Sequence, residues 1–255
     1  MNQTISHNLQ LAFALGWQDV KQSYRRSPIG PFWLTVNMAV LISTMGLVFG
    51  LLFKMDFKEY LPYLAIGLIV WNFMSTVITE ASLVFVNSEA LIKQINLKTY
   101  VLVVRLLWKN FAIFLHNLVL VPLILLVLGI GFSWTILLAF VGLFLVLVNL
   151  GWVVVALGIL ATRYRDFNQL TVSFLSVVFY LTPVVWHRDI LDVSWAELFV
   201  TLNPFTALLE IVREPFIGQL PGLNSWLVAI GLAAAGWLFA LSLFKRYSHR
   251  IAYWV

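Results

Sequence analysis

Long apolar runs separated by short polar links organise the chain, and stretches with little or no charge fall at residues 31–53, 60–86, 110–162, 167–187 and 215–244. A helical crossing of a bilayer takes about 20 apolar residues, so each run except the third predicts one crossing. The third is 53 residues long and holds GIGFSW at 129–134, a glycine-rich turn that divides it in two. Six spans are therefore expected near 31–53, 62–86, 109–128, 134–161, 167–186 and 226–244, which makes an all-α membrane protein. The whole of 1–255 reads as a single transmembrane domain.

Three further segments carry apolar positions without the length of a span. NLQLAFALGWQDVKQSYRR sets Leu9, Phe13, Trp17, Val20 and Tyr24 on one helical face, with Gln10, Gln18, Asp19, Gln22 and Arg25 off it. That pattern predicts an amphipathic interface helix over 8–26. Pro28, Gly30 and Pro31 then turn the chain into the first span. In the link 87–104, Asn87 or Ser88 caps a short helix bearing Leu91, Ile92 and Ile95. Within 187–225, the run 198–209 is too short to cross and is interrupted at Asn203-Pro204. It predicts a re-entrant or interfacial helical hairpin before the last span.

Composition agrees with this pattern. The chain is 62% hydrophobic and only 11% charged, with a mean hydropathy of +0.94, whereas soluble domains carry roughly 25% charged residues. An even number of crossings puts both termini on one side. Lys54, Lys58, Arg188 and Arg213 fall on the other side, leaving twelve of the 16 Lys and Arg with the termini, so the termini are expected in the cytoplasm. This bias accounts for the net charge of +5 without a nucleic-acid partner. The lack of cysteine excludes disulfides and thiolate metal sites. No cleavable signal peptide, internal repeat or GxxxxGK[ST] phosphate loop is visible, so any ATP must be bound by another chain.

In order along the chain, YRRSPIGPFW, NSEALIKQINL, RYRDFNQL, LTPVVW and LNPFTALLEIVREPFIG resemble the transmembrane subunit of type-2 ABC transporters. More narrowly, they are similar to permeases that export lipid-linked O-antigen, capsule or teichoic-acid chains. The resemblance implies a bacterial inner-membrane permease, paired with a second copy and with two ATPase subunits that bind ATP and Mg. It also implies that the N-terminal helix and the 87–104 segment, with Ser88, Leu91, Ile92 and Gln94 as contacts, dock onto those subunits. An exporter of lipids or drugs, or a membrane-embedded glycosyl- or phosphotransferase, are the alternatives; Asp189 and Asp192 are the nearest approach to the acidic metal site that such a transferase needs.

Candidate roles have plainer competitors. Arg25 and Arg26, and Arg163 and Arg165, serve positive-inside anchoring or grip the pyrophosphate of a polyprenyl-linked glycan. Tyr60, Tyr63, Trp71 and Phe73 in span two, and Phe174, Phe179 and Tyr180 in span five, are deep enough either to stack on sugar rings or to pack helices. Glu80 has Arg105 or Lys109 as partner, and His116 suggests an interhelical hydrogen bond. Asn203, Pro204, Glu210 and Arg213 are candidates for an outer gate, with a local surface ion pair between Glu210 and Arg213 as the simpler reading.

Overall fold

The computed structural model describes residues 2–23, 30, 32–95, 97–188 and 199–255, and all regular structure among them is helical. The helices are α1 (Asn2–Ser23), α2 (Phe32–Phe53), α3 (Phe57–Ala81), α4 (Glu89–Ile95), α5 (Thr99–Leu118), α6 (Leu120–Leu128), α7 (Ile136–Arg163), α8 (Phe167–Leu181), α9 (Pro204–Phe216), α10 (Leu223–Tyr247) and α11 (Ile251–Trp254).

Five segments are long and apolar enough to cross a membrane: α2, α3, α5 with α6, α7, and α10 continued through α11. The expected fifth span is α8, and its 15 residues make only about 22 Å of helix against about 30 Å of hydrocarbon. Pro183 stops it. A residue before proline is pushed out of the α region, and Thr182 is indeed extended, with φ −94 and ψ 133. Among the described residues there are thus five helices long and apolar enough to span, and one shorter apolar helix that is followed by non-helical backbone.

Helix ends follow local chemistry. The Asp56 side chain caps α3 by accepting from the Lys58 amide at 2.9 Å, which starts that helix five residues before the expected boundary. Gly129, at φ +71, ends α6 in the left-handed conformation, where the GIGFSW turn was anticipated. Between α5 and α6 the helix breaks at Val119, because Pro122 has no N–H for the Leu118 carbonyl. The His116 ring bonds within its own helix, Nδ1 lying 2.7 Å from the Ala112 oxygen, and the interhelical bond at this residue is made by its carbonyl, which accepts from Thr35 of α2 at 3.4 Å.

Both described ends of the chain gather at one end of the bundle, the terminal end. There α1 packs along α5, with Asn8 donating to the Tyr100 hydroxyl at 2.8 Å and Arg105 gripping Asp19 through Nε and a terminal nitrogen at 2.6 and 2.7 Å. The buried face of α1 is Ala12, Gly16 and Val20, while Phe13 and Trp17 of the apolar stripe stay exposed. Small residues let the two backbones approach and leave the bulky face for lipid. The turns 54–56 and 129–135 mark the opposite, far end.

At the centre, α3 is buried over most of its length, and α9 is wedged among α3, α7 and α10. Gly142 of α7 makes this possible, since a Cβ there would overlap the Ile211 carbonyl of α9. Gly142→Ala should therefore lower the melting temperature of the detergent-solubilised protein, with a cost of about 1–3 kcal/mol for overpacking. Gly231→Ala should not, because nothing lies within 4 Å of that Cβ position on α10 and alanine favours helix.

Candidate functional site at the far end

The stretch after α8 leaves its carbonyls without helical partners, and side chains of α3 and α9 supply donors. Tyr60 donates to the Val185 oxygen at 2.7 Å, Tyr63 to those of Pro183 and Trp186 at 3.1 Å each, and Arg213 to Pro183 at 2.6 Å. The Arg213 guanidinium sits 3.8 Å from the centroid of the Tyr63 ring, whose neighbour His187 stacks at 3.6 Å. Arg213 and Glu210 are 2% and 4% exposed, so they are no surface pair. Glu210 instead accepts from Arg188 at 2.7 Å and from Ser225 of α10 at 2.7 Å. An α-helix of 13 residues places Glu210 and Arg213 one turn apart, but their partners lie on different elements.

Tyr60, Tyr63, His187, Arg188, Glu210 and Arg213 line a cavity of 490 Å³, together with Asp56, Glu59 and Glu214. Burial, then the neighbouring Glu210 carboxylate, pushes Glu214 from its ordinary 4.5 up to about 7, against the pull of Arg213 and Arg188. Asn203 caps α9, accepting from the Phe205 amide at 3.0 Å and donating to Thr182 at 2.9 Å, and Pro204 occupies the first turn. The interruption seen in the sequence is thus the start of a helix that begins deep, where Phe205 meets Trp71 at 5.7 Å, and returns to the far end. α9 is re-entrant.

The aromatic candidates separate into two groups. Tyr60, Tyr63, Trp71 and Phe73 are buried within the protein, Phe179 is half-buried against Trp71 at 5.5 Å, and Phe174 and Tyr180 are 57% and 76% exposed. Sequence reasoning passed over a different pattern on the same two helices. Gln169, Ser173, Ser176 and Tyr180 run down an exposed face of α8, and exposed Asn72 with half-buried Ser75, Thr76 and Thr79 runs down α3 beside it. Spacings of three and four among polar residues in an apolar run were the available signal.

Residues 10–217 match the sequence signature of the ABC-2 type transporter family. The chain belongs to that family. It is also similar to the O-antigen export system permease protein RfbA of Myxococcus xanthus, 25% identical over 214 residues, covering 81% of this chain and 80% of that one. Two proteins of the same name from Klebsiella pneumoniae are 21% identical, one over 219 residues (85% and 84% of the two chains) and one over 257 residues (99% and 97%).

At the terminal end of the permease, Ser88 is buried, and Leu91 and Ile92 of α4 lie half-buried against the core, leaving Glu89, Ala90, Lys93 and Gln94 exposed. Lys93 bonds Glu89 at 2.8 Å, holding it below the usual carboxylate range, and the Val255 oxygen at 2.6 Å. Arg163 lies over the rings of Tyr164 and Trp254 at 5.1 and 5.5 Å, and Arg165 is exposed. Glu80 pairs with Lys109 at 2.6 Å and accepts from Asn110 at 2.7 Å. Arg25, Arg26, Asp189 and Asp192 lie outside the described residues.

Glu214 makes stability depend on pH. Its folded value lies above its ordinary one, so ionisation costs nothing extra below pH 4.5 and weakens the fold progressively as pH rises through about 7. Glu214→Gln should melt at the same temperature as the parent near pH 4.5 and higher than the parent at pH 8. An equal difference at both pH values would assign the effect to the amide rather than to the charge.

Proposed function

We propose that this chain is the permease half of an ATP-driven exporter that moves a lipid-linked polysaccharide of O-antigen type out of the bacterial cytoplasm. Two copies enclose the path in the inner membrane, and two partner ATPase subunits hold ATP and Mg. The observation that carries this reading is the pair of polar stripes on α3 and α8. The exposed amides of Asn72 and Gln169 are costly against lipid, and with the stripe hydroxyls, of which Ser75 and Ser176 bond back to carbonyls of their own helices, they suit a water-filled or sugar-lined path completed by another molecule. Phe174 and Tyr180, exposed on the same helix, add ring faces for pyranoses. The names of the relatives support the choice of glycan among ABC-2 cargoes.

The excess of Lys and Arg at the terminal end supports a cytoplasmic placement for that end and an outer one for α9. In this arrangement Arg25 and Arg26, with Arg163 and Arg165, receive the pyrophosphate at the inner headgroup level. The exposed side of α4 faces the ATPase through Ala90 and Gln94, while Leu91 and Ile92 fix α4 to the body. Asn203, Pro204, Glu210 and Arg213 belong to the outer gate, which α9 forms.

Replacing Ser173 and Ser176 together with Leu should leave membrane insertion intact, remove surface glycan, and accumulate the lipid-linked precursor inside the cell. Normal surface glycan in that double variant, at matched protein level, would reject the stripe as the path. Orientation is read separately: a cysteine placed at Gln219 should react with an impermeant thiol reagent in intact cells, and one at Gln94 only after lysis. The reverse result would invert the topology.

A further inference from the structure

The far-end cavity does not stop at its own walls. It shares Glu59, Tyr63, His187 and Gln219 with a second compartment of 420 Å³ that extends toward Lys58 and Ile130. It shares Arg188, Glu210, Glu214 and Gln219 with a third, of 460 Å³, that extends toward Asn224 and Ser225. Three contiguous compartments around the C-terminal half of α9 make an elongated groove, each part within the usual range for a small-ligand site. Gln219, exposed, lines all three.

The groove mixes signs of charge: Lys58, Arg188 and Arg213 stand among Asp56, Glu59, Glu210 and Glu214. A ligand of one charge meets repulsion from half of these groups, whereas a hydroxyl both donates and accepts and is served by each kind. Arg213 is 2% exposed, and its Nε, like that of Arg188, has no hydrogen-bond partner among the described residues. Buried donors in that state are uncommon and call for an acceptor. His187, half-buried on the Tyr63 ring, offers a flat face in two of the compartments. The groove is also separate from the α3 stripe. Tyr63 and Asn72 are about 2.5 turns apart, on opposite faces of α3.

We propose that this groove binds a segment of uncharged glycan chain at the far end of each permease. The inference rests on the export reading above, and adds to it a site beside the path rather than in it. Three adjoining compartments suit several successive sugar units, paired donors and acceptors match sugar hydroxyls, and a segment held there opposes back-slip of the chain.

The test uses the full-length permease in lipid nanodiscs. The probes are neutral oligosaccharides released by mild acid from the surface polysaccharide of the producing cells, and the same fragments oxidised to carboxylates. Neutral fragments should bind more tightly than oxidised ones. Gln219→Ala should weaken binding about fivefold to tenfold, the loss of one or two hydrogen bonds, without lowering the melting temperature, and His187→Ala should weaken it by a similar factor through the lost ring contact, alongside whatever stability its stacking on Tyr63 contributes. Absence of neutral binding, equal binding of oxidised fragments, or unchanged binding by both variants overturns the proposal. Surface glycan is scored in parallel in cells lacking the gene. Its loss with no binding in nanodiscs rejects the groove and keeps the exporter; its persistence with binding intact keeps the site and rejects the exporter.

Discussion

Backbone carbonyls that leave a helix inside a packed bundle need donors from other elements, and the permease meets that constraint after Thr182. The stretch that follows α8 is satisfied by Tyr60 and Tyr63 from one side and Arg213 from the other. Each of these carbonyls left buried without a partner would cost about 1–3 kcal/mol, so these donors fix where α3 and α9 lie. Gly67 completes the fit: a Cβ there would stand 2.9 Å from the Val184 oxygen. The stretch can lie against α3 only because that position carries no side chain.

Once Arg213 serves the broken crossing it must be buried, and its charge sets the next requirements. Tyr63 covers one face of the guanidinium, and Glu210 one turn earlier on α9 is tied to Arg188 and Ser225. This cluster joins α3, α8's continuation, α9 and α10 at one end. Removing one member would strand another without water, a loss of about 3–5 kcal/mol for a buried charge pair. The terminal end is built differently. Glu80–Lys109 is a partly exposed single contact, worth roughly 1 kcal/mol or less, whereas Asp19–Arg105 is bidentate and joins α1 to α5 together with the close approach at Ala12, Gly16 and Val20.

The sequence carries the fold in its hydropathy. The runs at 31–53 and 134–161 became α2 and α7 almost residue for residue, and the GIGFSW turn fell where glycine allows it. Long apolar runs state their structure because bilayer thickness leaves few alternatives. The α5 start was harder to read, since Lys98, Arg105 and Lys109 suggest a polar link until Asp19 and Glu80 are seen as partners. The far-end site was least legible. Glu210 and Arg213 stood out as residues, but their partners Arg188, Ser225, Tyr63 and the Pro183 carbonyl are distant in sequence, and spacing along one helix suggested only a local pair. Proline at 183 was the available hint that α8 would end early.

A continuous helix in place of α8 and its extension would satisfy its own backbone and be free to tilt as a rod. The observed arrangement lacks that independence. Its last carbonyls belong to donors on α3 and α9, so any displacement of α9 must carry the Pro183 carbonyl along or leave both it and Arg213 unpaired. Asn203 adds a second tie at the deep end of α9, through Thr182. Moving the re-entrant helix is therefore moving the end of α8, and α8 is the helix whose exposed face carries Gln169, Ser173, Ser176 and Tyr180. The same bonds that make a broken crossing tolerable in lipid thus couple the buried far-end cluster to the polar stripe. A shift at the first must therefore move the end of α8 or break the bonds to Pro183 and Thr182.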